Sequence, residues 1–310
     1  MPFVAVRKAR KPAWQDTRPR ARAHADAYKI ADKHFRRFAR AYESAVGKAI
    51  AAVDLDRLLL VLARGGDASA IAAAIPWYDP RDAESAARWR KLEREFEATY
   101  RDIVQESGAA SLARLDVPMR FDLDNPYSVP WIERQGAELV TRIGEEGRDA
   151  IREAVARGFA LGNPPREMAR TIRASIGLRP NQTAAVQRRL AMHLAAGLDP
   201  VSAATRAAGY AQKLLNARAL LIARTETIAA EAQGTLDSWR DAGAKGFIVP
   251  GTKKRWIEAK GSERTCDVCE DLGAQDPIDL DASWTTINGD EVEAPPSHPA
   301  CRCSLGLVIP

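Results

Sequence analysis

The segments Cys266-Asp-Val-Cys269 and His298-Pro-Ala-Cys301-Arg-Cys303 contain all four cysteines of the 310-residue chain and one of its four histidines. A Cys-x2-Cys pair lets a tight turn present two thiolates to one ion, as in structural zinc sites. Because zinc takes four ligands in a closed tetrahedral site, the sequence predicts structural Zn²⁺ bound by four of these five side chains. Cys266 and Cys269 are the firmest ligands, and which two of His298, Cys301 and Cys303 complete the set stays open.

Three other uses of the cysteines compete with structural zinc. The even number of cysteines would allow two disulfides. However, Met1–Val4 is not the start of a secretory apolar segment, and a chain of this length can fold without disulfide bonds. A redox-active Cys-x2-Cys usually lies in a thioredoxin-like βαβ pattern, which is absent. A catalytic zinc keeps an open position, whereas here the ligands exceed four. A cytoplasmic-type protein with reduced thiols is therefore expected.

The residues on either side of the first cysteine pair predict a long helix followed by a small sheet. Tyr210–Trp239 carries the longest helical pattern, and the periodicity changes after Asp241-Ala-Gly243. The Asn288-Gly289 pair is a strong signal for a hairpin with a two-residue turn. Short strands are predicted at Phe247–Val249, Arg255–Ile257, Thr285–Ile287, Glu291–Glu293 and Leu305–Ile309. Because such a small number of short strands forms only a small core, a bound metal ion would stabilise the sheet.

The sequence predicts that most of the rest of the chain is helical. Apolar stripes at helical spacing predict helices from about Ala21, at Val53–Ala63, from Ala83 to about Ser107, and at Trp131–Phe159. Two Gly-x-x-Pro turns, Gly162–Pro165 and Gly197–Pro200, predict helix entries before 166–175 and 201–208. The predicted fold class is α+β, predominantly α-helical.

A Pro-rich break at Val117–Pro130 divides the chain. The predicted organisation is a basic mobile arm at 1–20, an N-terminal helical region at 21–125, helical hairpins at 126–212 and a C-terminal domain with the Cys/His site at 213–310. No apolar run, Leu58–Ala63 included, approaches the roughly 20 residues that span a bilayer.

Positive charge is concentrated at the amino terminus. Residues 1–40 contain twelve Lys or Arg and three Asp, a net charge of +9, whereas the whole chain has +5. Such an arm can contact the phosphates of double-stranded DNA or an acidic protein surface, or remain solvated. The candidate contact residues are Arg7, Lys8, Arg10, Lys11, Arg18, Arg20 and Arg22.

Four motifs in order resemble a known family. They are Ile222-Ala-Arg224-Thr225-Glu226-Thr227, Lys254-Arg-Trp256, Arg264-Thr-Cys266-Asp-Val-Cys269 and Pro296-Ser-His298-Pro-Ala-Cys301-Arg-Cys303-Ser. Their order and spacing resemble the phage Mu F-like head morphogenesis proteins, also called minor head or minor capsid proteins. The resemblance covers roughly residues 130–310, and residues 1–125 show none.

The resemblance implies a phage or prophage minor head protein without catalytic activity. Members of the family associate with the portal protein and the capsid interior during head assembly, and accompany the DNA in some cases. The expected location is therefore the virion or prohead interior, and the host cytoplasm during assembly. The expected partners are portal, capsid and scaffold proteins, with no membrane and no small-molecule substrate. Since the chain stops seven residues after Cys303, no fused toxin or enzyme domain is expected after it.

Arg224, Thr225 and Glu226 match the Arg-Thr-Glu motif of the family. Residues two apart on a helix point to different faces. Arg224 and Glu226 are therefore expected to form structural ion pairs, one anchoring the metal-bearing sheet and the other meeting a neighbouring helix.

Two other functions compete with head assembly. The first is a zinc-ribbon protein that binds nucleic acid, although the eleven Asp and Glu between Glu258 and Glu293 suit a protein partner better than phosphates. The second is a metal-dependent hydrolase that uses His298 with one of these carboxylates, and it requires an open zinc site.

Overall fold

The computed structural model describes residues 17–66, 70–71, 74–75, 77, 83–259 and 265–310, without the side chains of 17–24 and 26. Arg7, Lys8, Arg10 and Lys11 of the predicted arm therefore lie outside the described residues. Arg18, Arg20 and Arg22 lie in the first helix, and only their backbone is described.

Helices make up most of the described chain, as predicted. Their bounds are α1 Thr17–Ala51, α2 Leu55–Ala63, α3 Ala83–Arg114, α4 Ser128–Ala160, α5 Pro165–Ser175, α6 Pro180–Ala195, α7 Pro200–Ala244 and α8 Asp267–Ala274. Helix α1 begins four residues before the predicted Ala21. The two patterns predicted at 201–208 and 210–239 form the single helix α7, because one exposed glycine, Gly209, costs only about 1 kcal/mol inside a helix and does not stop it.

Glycine and proline position the three consecutive helices α5, α6 and α7. Pro165, Pro180 and Pro200 each stand in a first turn, where a missing N–H costs nothing. Gly162 and Gly197 have φ values of 64° and 81°, the left-handed conformation that ends a helix. Both predicted Gly-x-x-Pro turns are confirmed, and Gly177-x-x-Pro180 is a third that sequence reasoning missed.

A small antiparallel sheet forms at the carboxyl end, also as predicted. Strands β1 Lys253–Ile257, β2 Ile278–Asp279 and β5 Ser304–Val308 lie in the order β2-β1-β5, with Trp256 opposite Leu305. Strands β3 Trp284–Thr285 and β4 Glu291–Val292 form a separate hairpin.

Two local predictions about this sheet are wrong. Phe247–Val249 is not a strand, because the amide of Phe247 donates to Ala242 O at 2.8 Å and Gly246 has a φ of 77°, which together close the end of α7. The hairpin loop spans 286–290 and is not a two-residue turn. The hydroxyl of Thr286 accepts from the amides of Asn288 and Asp290, which stabilises this longer loop.

The chain forms two compact units, each assembled from separate stretches. The first comprises the described residues up to Phe38, then Glu97–Arg134 and Leu221–Pro310. Its helical part is built around Tyr100, whose ring centroid lies 5.3 Å from that of Phe38 and 5.5 Å from that of Trp131.

The second unit comprises the described residues among Ala39–Phe96 and Gln135–Leu220. Trp77 packs edge-on against Trp89 and lies directly over Gly147. The buried Arg218 donates to Gly177 O at 2.7 Å and pairs with Glu146 at 2.5 Å. The consecutive regions 21–125, 126–212 and 213–310 stay a prediction about how the chain divides.

None of the helices in the described ranges combines the length and the hydrophobicity needed to cross a bilayer.

Candidate metal centre

The first cysteine pair lies at the start of a helix. Cys266 is the N-cap of α8, with φ −86° and ψ 159°, and its carbonyl accepts from the amide of Glu270 at 3.0 Å. Cys269 lies in the first turn, three residues on, so both sulfurs point to the same face of the helix. The tight turn predicted for Cys-x2-Cys is therefore a helix N-terminus. Cys269 is buried and Cys266 is half-buried.

The second group lies in the loop that leads into β5. Cys301 and Cys303 are buried, whereas His298 is half-buried. Nδ1 of His298 lies 2.9 Å from the carbonyl oxygen of Pro299. In the tautomer that carries its proton on Nδ1, this nitrogen donates to that carbonyl, and the lone pair of Nε2 remains available to a metal.

Five side chains converge in space as predicted. Nε2 of His298 lies 3.1 Å from both Cys266 Sγ and Cys269 Sγ, and Cys269 Sγ lies 3.7 Å from Cys301 Sγ. The ligand atoms form two groups, Cys266/Cys269/His298 and Cys269/Cys301/Cys303, each within 4.8 Å. Cys269 belongs to both groups. All four cysteines are free thiols, so the disulfide alternative does not describe this structure.

The separation of Cys269 Sγ and Cys301 Sγ fits two ligands of one metal ion. Two sulfurs on one tetrahedral ion with metal–sulfur bonds of about 2.3 Å stand about 3.8 Å apart, close to the separation of Cys269 and Cys301. The cluster could therefore hold a metal ion between α8 and the loop before β5.

Hydrogen bonds among the buried thiols shift their pKa values in opposite directions. Hydrogen bonds from Cys269 and Cys303 lower the pKa of the Cys301 thiol, and the hydrogen bond with Cys301 raises the pKa of Cys269. Because metal binding deprotonates thiol ligands, an ion bound here would displace thiol protons.

Thr225 connects α7 to the loop that bears His298 and Cys301. Its hydroxyl oxygen accepts from the amide of Ala300 at 3.1 Å and donates to Leu221 O at 2.9 Å. Ala300 has a φ of 60°, a left-handed backbone that is uncommon for a residue with a side chain. The sequence predicts this anchoring role for Arg224 or Glu226, whereas in the structure Thr225 forms the hydrogen bond to the loop.

Arg224 and Glu226 point to two other helices, as helical geometry requires. The guanidinium of Arg224 lies 5.4 Å from the ring centroid of Phe35 on α1. Glu226 is buried and accepts a hydrogen bond from the Tyr100 hydroxyl of α3 at 2.8 Å. The Arg-Thr-Glu motif therefore contacts three elements at one level of α7: α1, the Cys/His loop and α3.

A second polar cluster, which sequence reasoning missed, attaches the sheet to the end of α7. Arg240 donates to Asp281 at 2.7 Å and to Glu293. The buried Lys254 donates to the carbonyl oxygen of Glu293 at 2.9 Å and lies 5.2 Å from the ring centroid of Trp284. Burial lowers the pKa of Lys254 to about 8. Two of the eleven acidic residues counted near the cysteines are thus paired with Arg240.

Comparison of the chain with protein-family models, curated proteins and solved structures gives no match. The resemblance to phage Mu F-like head proteins therefore stays a prediction carried by the motif residues.

Proposed function

We propose that the Cys/His cluster is a structural zinc site that uses four of Cys266, Cys269, His298, Cys301 and Cys303. Sulfur and imidazole donors suit zinc, whereas magnesium and calcium prefer oxygen. The burial of three of the four cysteines and a ligand set larger than four support a closed structural site over an open catalytic one.

We propose further that the protein is a minor head protein of a phage or prophage. The single observation that carries this proposal is the hydrogen bond from Ala300 to Thr225. It joins two of the motifs on which the resemblance rests, although they are 75 residues apart in the chain. Motif residues that meet in space are expected if the whole C-terminal region, rather than one short motif, resembles that family.

In this role the protein acts by binding and catalyses no reaction. Its partners are the portal protein and the capsid or scaffold proteins of the head. The basic residues Arg7, Lys8, Arg10, Lys11, Arg18, Arg20 and Arg22 contact packaged double-stranded DNA or an acidic partner surface. It is located in the prohead or virion interior, and in the host cytoplasm while heads assemble.

The test is association with the portal ring encoded in the same genome. Purified full-length protein is mixed with the purified ring and separated by gel filtration, with capsid shells that lack a portal as the control. Head assembly predicts co-elution with the ring and a low copy number in isolated proheads.

Two results together would contradict head assembly and favour the zinc-ribbon alternative. One is elution of the protein apart from both ring and proheads. The other is saturable binding of duplex DNA by the full-length protein, with an affinity that falls steeply as salt increases.

A further inference from the structure

A groove of about 470 Å³ lies in the second compact unit, among α5, α6 and the first half of α7. Its floor is buried and mostly apolar, and it includes Ile176, Val186, Leu190, Ala211 and Leu215. The Cys/His cluster and the Arg-Thr-Glu motif play no part in it, since both belong to the other unit.

The α7 wall of the groove consists mostly of small apolar side chains. Val201, Ala204, Ala208 and Ala211 recur at intervals of three and four residues and therefore form one stripe along the helix. Val201 is 59% exposed, and Ala208 is exposed as well. An apolar stripe with small side chains leaves room for another element to approach closely.

The α5 wall carries positive charge without a counter-charge. Arg170 and Arg173 line the groove and are exposed. Within the described part of this unit, the ion pairs use other residues: Glu146 with Arg179 and Arg218, Glu153 with Arg157, and Asp149 with Arg152. No described acidic side chain is within ion-pair distance of Arg170 or Arg173.

The surrounding sequence is strongly basic. Residues 161–220 contain nine Lys or Arg and two Asp or Glu, a net charge of +7, which exceeds that of the whole chain. One of the two acids, Asp199, accepts hydrogen bonds from the amides of Val201 and Ser202 and so caps α7. Arg179 and Arg218 are paired with Glu146, but the other basic side chains leave a positive potential over the groove for a partner to neutralise.

We propose that this groove binds an acidic amphipathic α-helix of a partner protein. Apolar side chains of that helix, spaced by three and four residues, would fill the floor and cover the stripe on α7. Carboxylates along one edge would pair with Arg170 and Arg173. This proposal is independent of head assembly, because it rests on the groove and its charges alone.

A nucleic acid fits these features less well. Phosphates are recognised by basic and hydrogen-bonding groups, but Thr171 is the single polar residue among the buried residues that line the groove. Binding of DNA by the basic surface outside the groove is therefore a separate outcome, which the same experiment must distinguish.

The probe is a synthetic fluorescent peptide with Leu at intervals of three and four residues and Glu along one edge of the Leu face. Binding to the full-length protein is followed by fluorescence anisotropy. Two control peptides accompany it. One has the same composition in a shuffled order that destroys the Leu face, and the other has Lys in place of Glu. Duplex DNA is titrated in parallel.

Two pairs of variants with matched charge changes localise the binding. Arg170→Glu/Arg173→Glu changes the rim of the groove, whereas Arg188→Glu/Arg206→Glu changes two exposed arginines that do not line it. Val201→Asp places a charge on the exposed stripe, whereas Leu220→Asp does the same at an exposed apolar position of α7 outside the groove. Circular dichroism checks that each variant keeps its helix content.

We expect the rim pair and Val201→Asp each to weaken peptide binding by at least about tenfold, with the matched controls within about twofold. Three results would each overturn the proposal. The first is no saturable binding of the peptide up to about 1 mM. The second is equal binding of the shuffled or Lys peptides. The third is that both charge-reversal pairs weaken peptide binding equally. If DNA binding falls in parallel, the basic surface binds polyanions without specificity.

Discussion

At the scale of single residues, Glu231 is the most unusual group of the first compact unit. Its carboxylate is buried in the middle of α7, and the hydroxyl of Thr235 lies 3.2 Å from it. Burial raises the pKa of Glu231 to about 7, although Arg114 and Thr235 act in the opposite direction. A carboxyl with a raised pKa is protonated in the folded protein at pH values where the unfolded chain is already ionised.

The pH dependence of stability follows from this shift. Below the unfolded pKa, near 4.5, both states carry the proton and Glu231 has no pH-dependent effect. Between that value and about 7 the folded state holds more protons than the unfolded state, so its contribution to the free energy of unfolding decreases as pH rises. Above about pH 7 Glu231 is ionised in both states, and its contribution to the free energy of unfolding falls no further.

Glu231→Gln mimics the protonated side chain and should remove this loss. We expect the stability of the variant relative to wild type to increase by about 2 kcal/mol between about pH 5 and pH 8. Urea unfolding at both pH values measures it. Glu138→Gln, an exposed position on α4, is the control and should show no such change. A constant difference between Glu231→Gln and wild type at the two pH values would mean that Glu231 is ionised throughout.

At the scale of elements, α7 approaches α3 closely enough to touch its backbone. A Cβ added at Gly234 would lie 2.5 Å from the carbonyl oxygen and 2.8 Å from the Cα of Val104. Both positions are buried. Because the obstructing atoms are backbone, the two helices would have to separate to admit even a methyl group.

Gly234→Ala should therefore destabilise the protein by about 1–3 kcal/mol, as overpacking does in other cores. Gly209→Ala on the same helix is the control, because a Cβ there meets nothing within 4 Å. That change should stabilise the protein by about 0.5–1 kcal/mol through helix propensity. Thermal unfolding compares the two variants. Equal effects of both would show that α3 and α7 are not in close contact at Gly234.

At the scale of the whole molecule, the two kinds of structure depend on different sources of stability. The helices of both units bury large apolar faces. The C-terminal sheet has short strands, and its core relies on Trp256 and Trp284, whose ring centroids are 5.5 Å apart. A structural zinc ion can contribute about 10–16 kcal/mol of apparent binding free energy to so small a region.

Removal of zinc should then melt the sheet selectively. We expect about one zinc per chain by elemental analysis, as a closed four-ligand site requires. With chelator, the near-UV circular dichroism of the two tryptophans should be lost, while most of the far-UV helix signal remains. Single substitutions Cys266→Ser, Cys269→Ser, His298→Ala, Cys301→Ser and Cys303→Ser identify the ligands, since four should weaken zinc retention and the fifth should not. Reduced protein that contains no metal and is indifferent to chelator would refute the site.

The sequence by itself determined the features that depend on neighbouring residues. Apolar stripes at helical spacing and the turns Gly162–Pro165 and Gly197–Pro200 predicted most helices, because backbone conformation responds to propensity and to spacing along the chain. The clustering of cysteine with His298 predicted that five ligands converge. The Asn288-Gly289 signal placed the hairpin but missed its longer loop.

Only the tertiary structure decided which distant residues meet. Thr225 holds the amide of Ala300, Gly234 admits the backbone of Val104, and the basic face of α5 flanks an apolar groove. Each of these arrangements depends on how helices pack, and an interior threonine or glycine of a helical pattern carries no local sign of its partner. The strand predicted at Phe247–Val249 is wrong for a related reason: the amide of Phe247 donates to Ala242 O and closes the end of α7, a contact that a short apolar run does not encode.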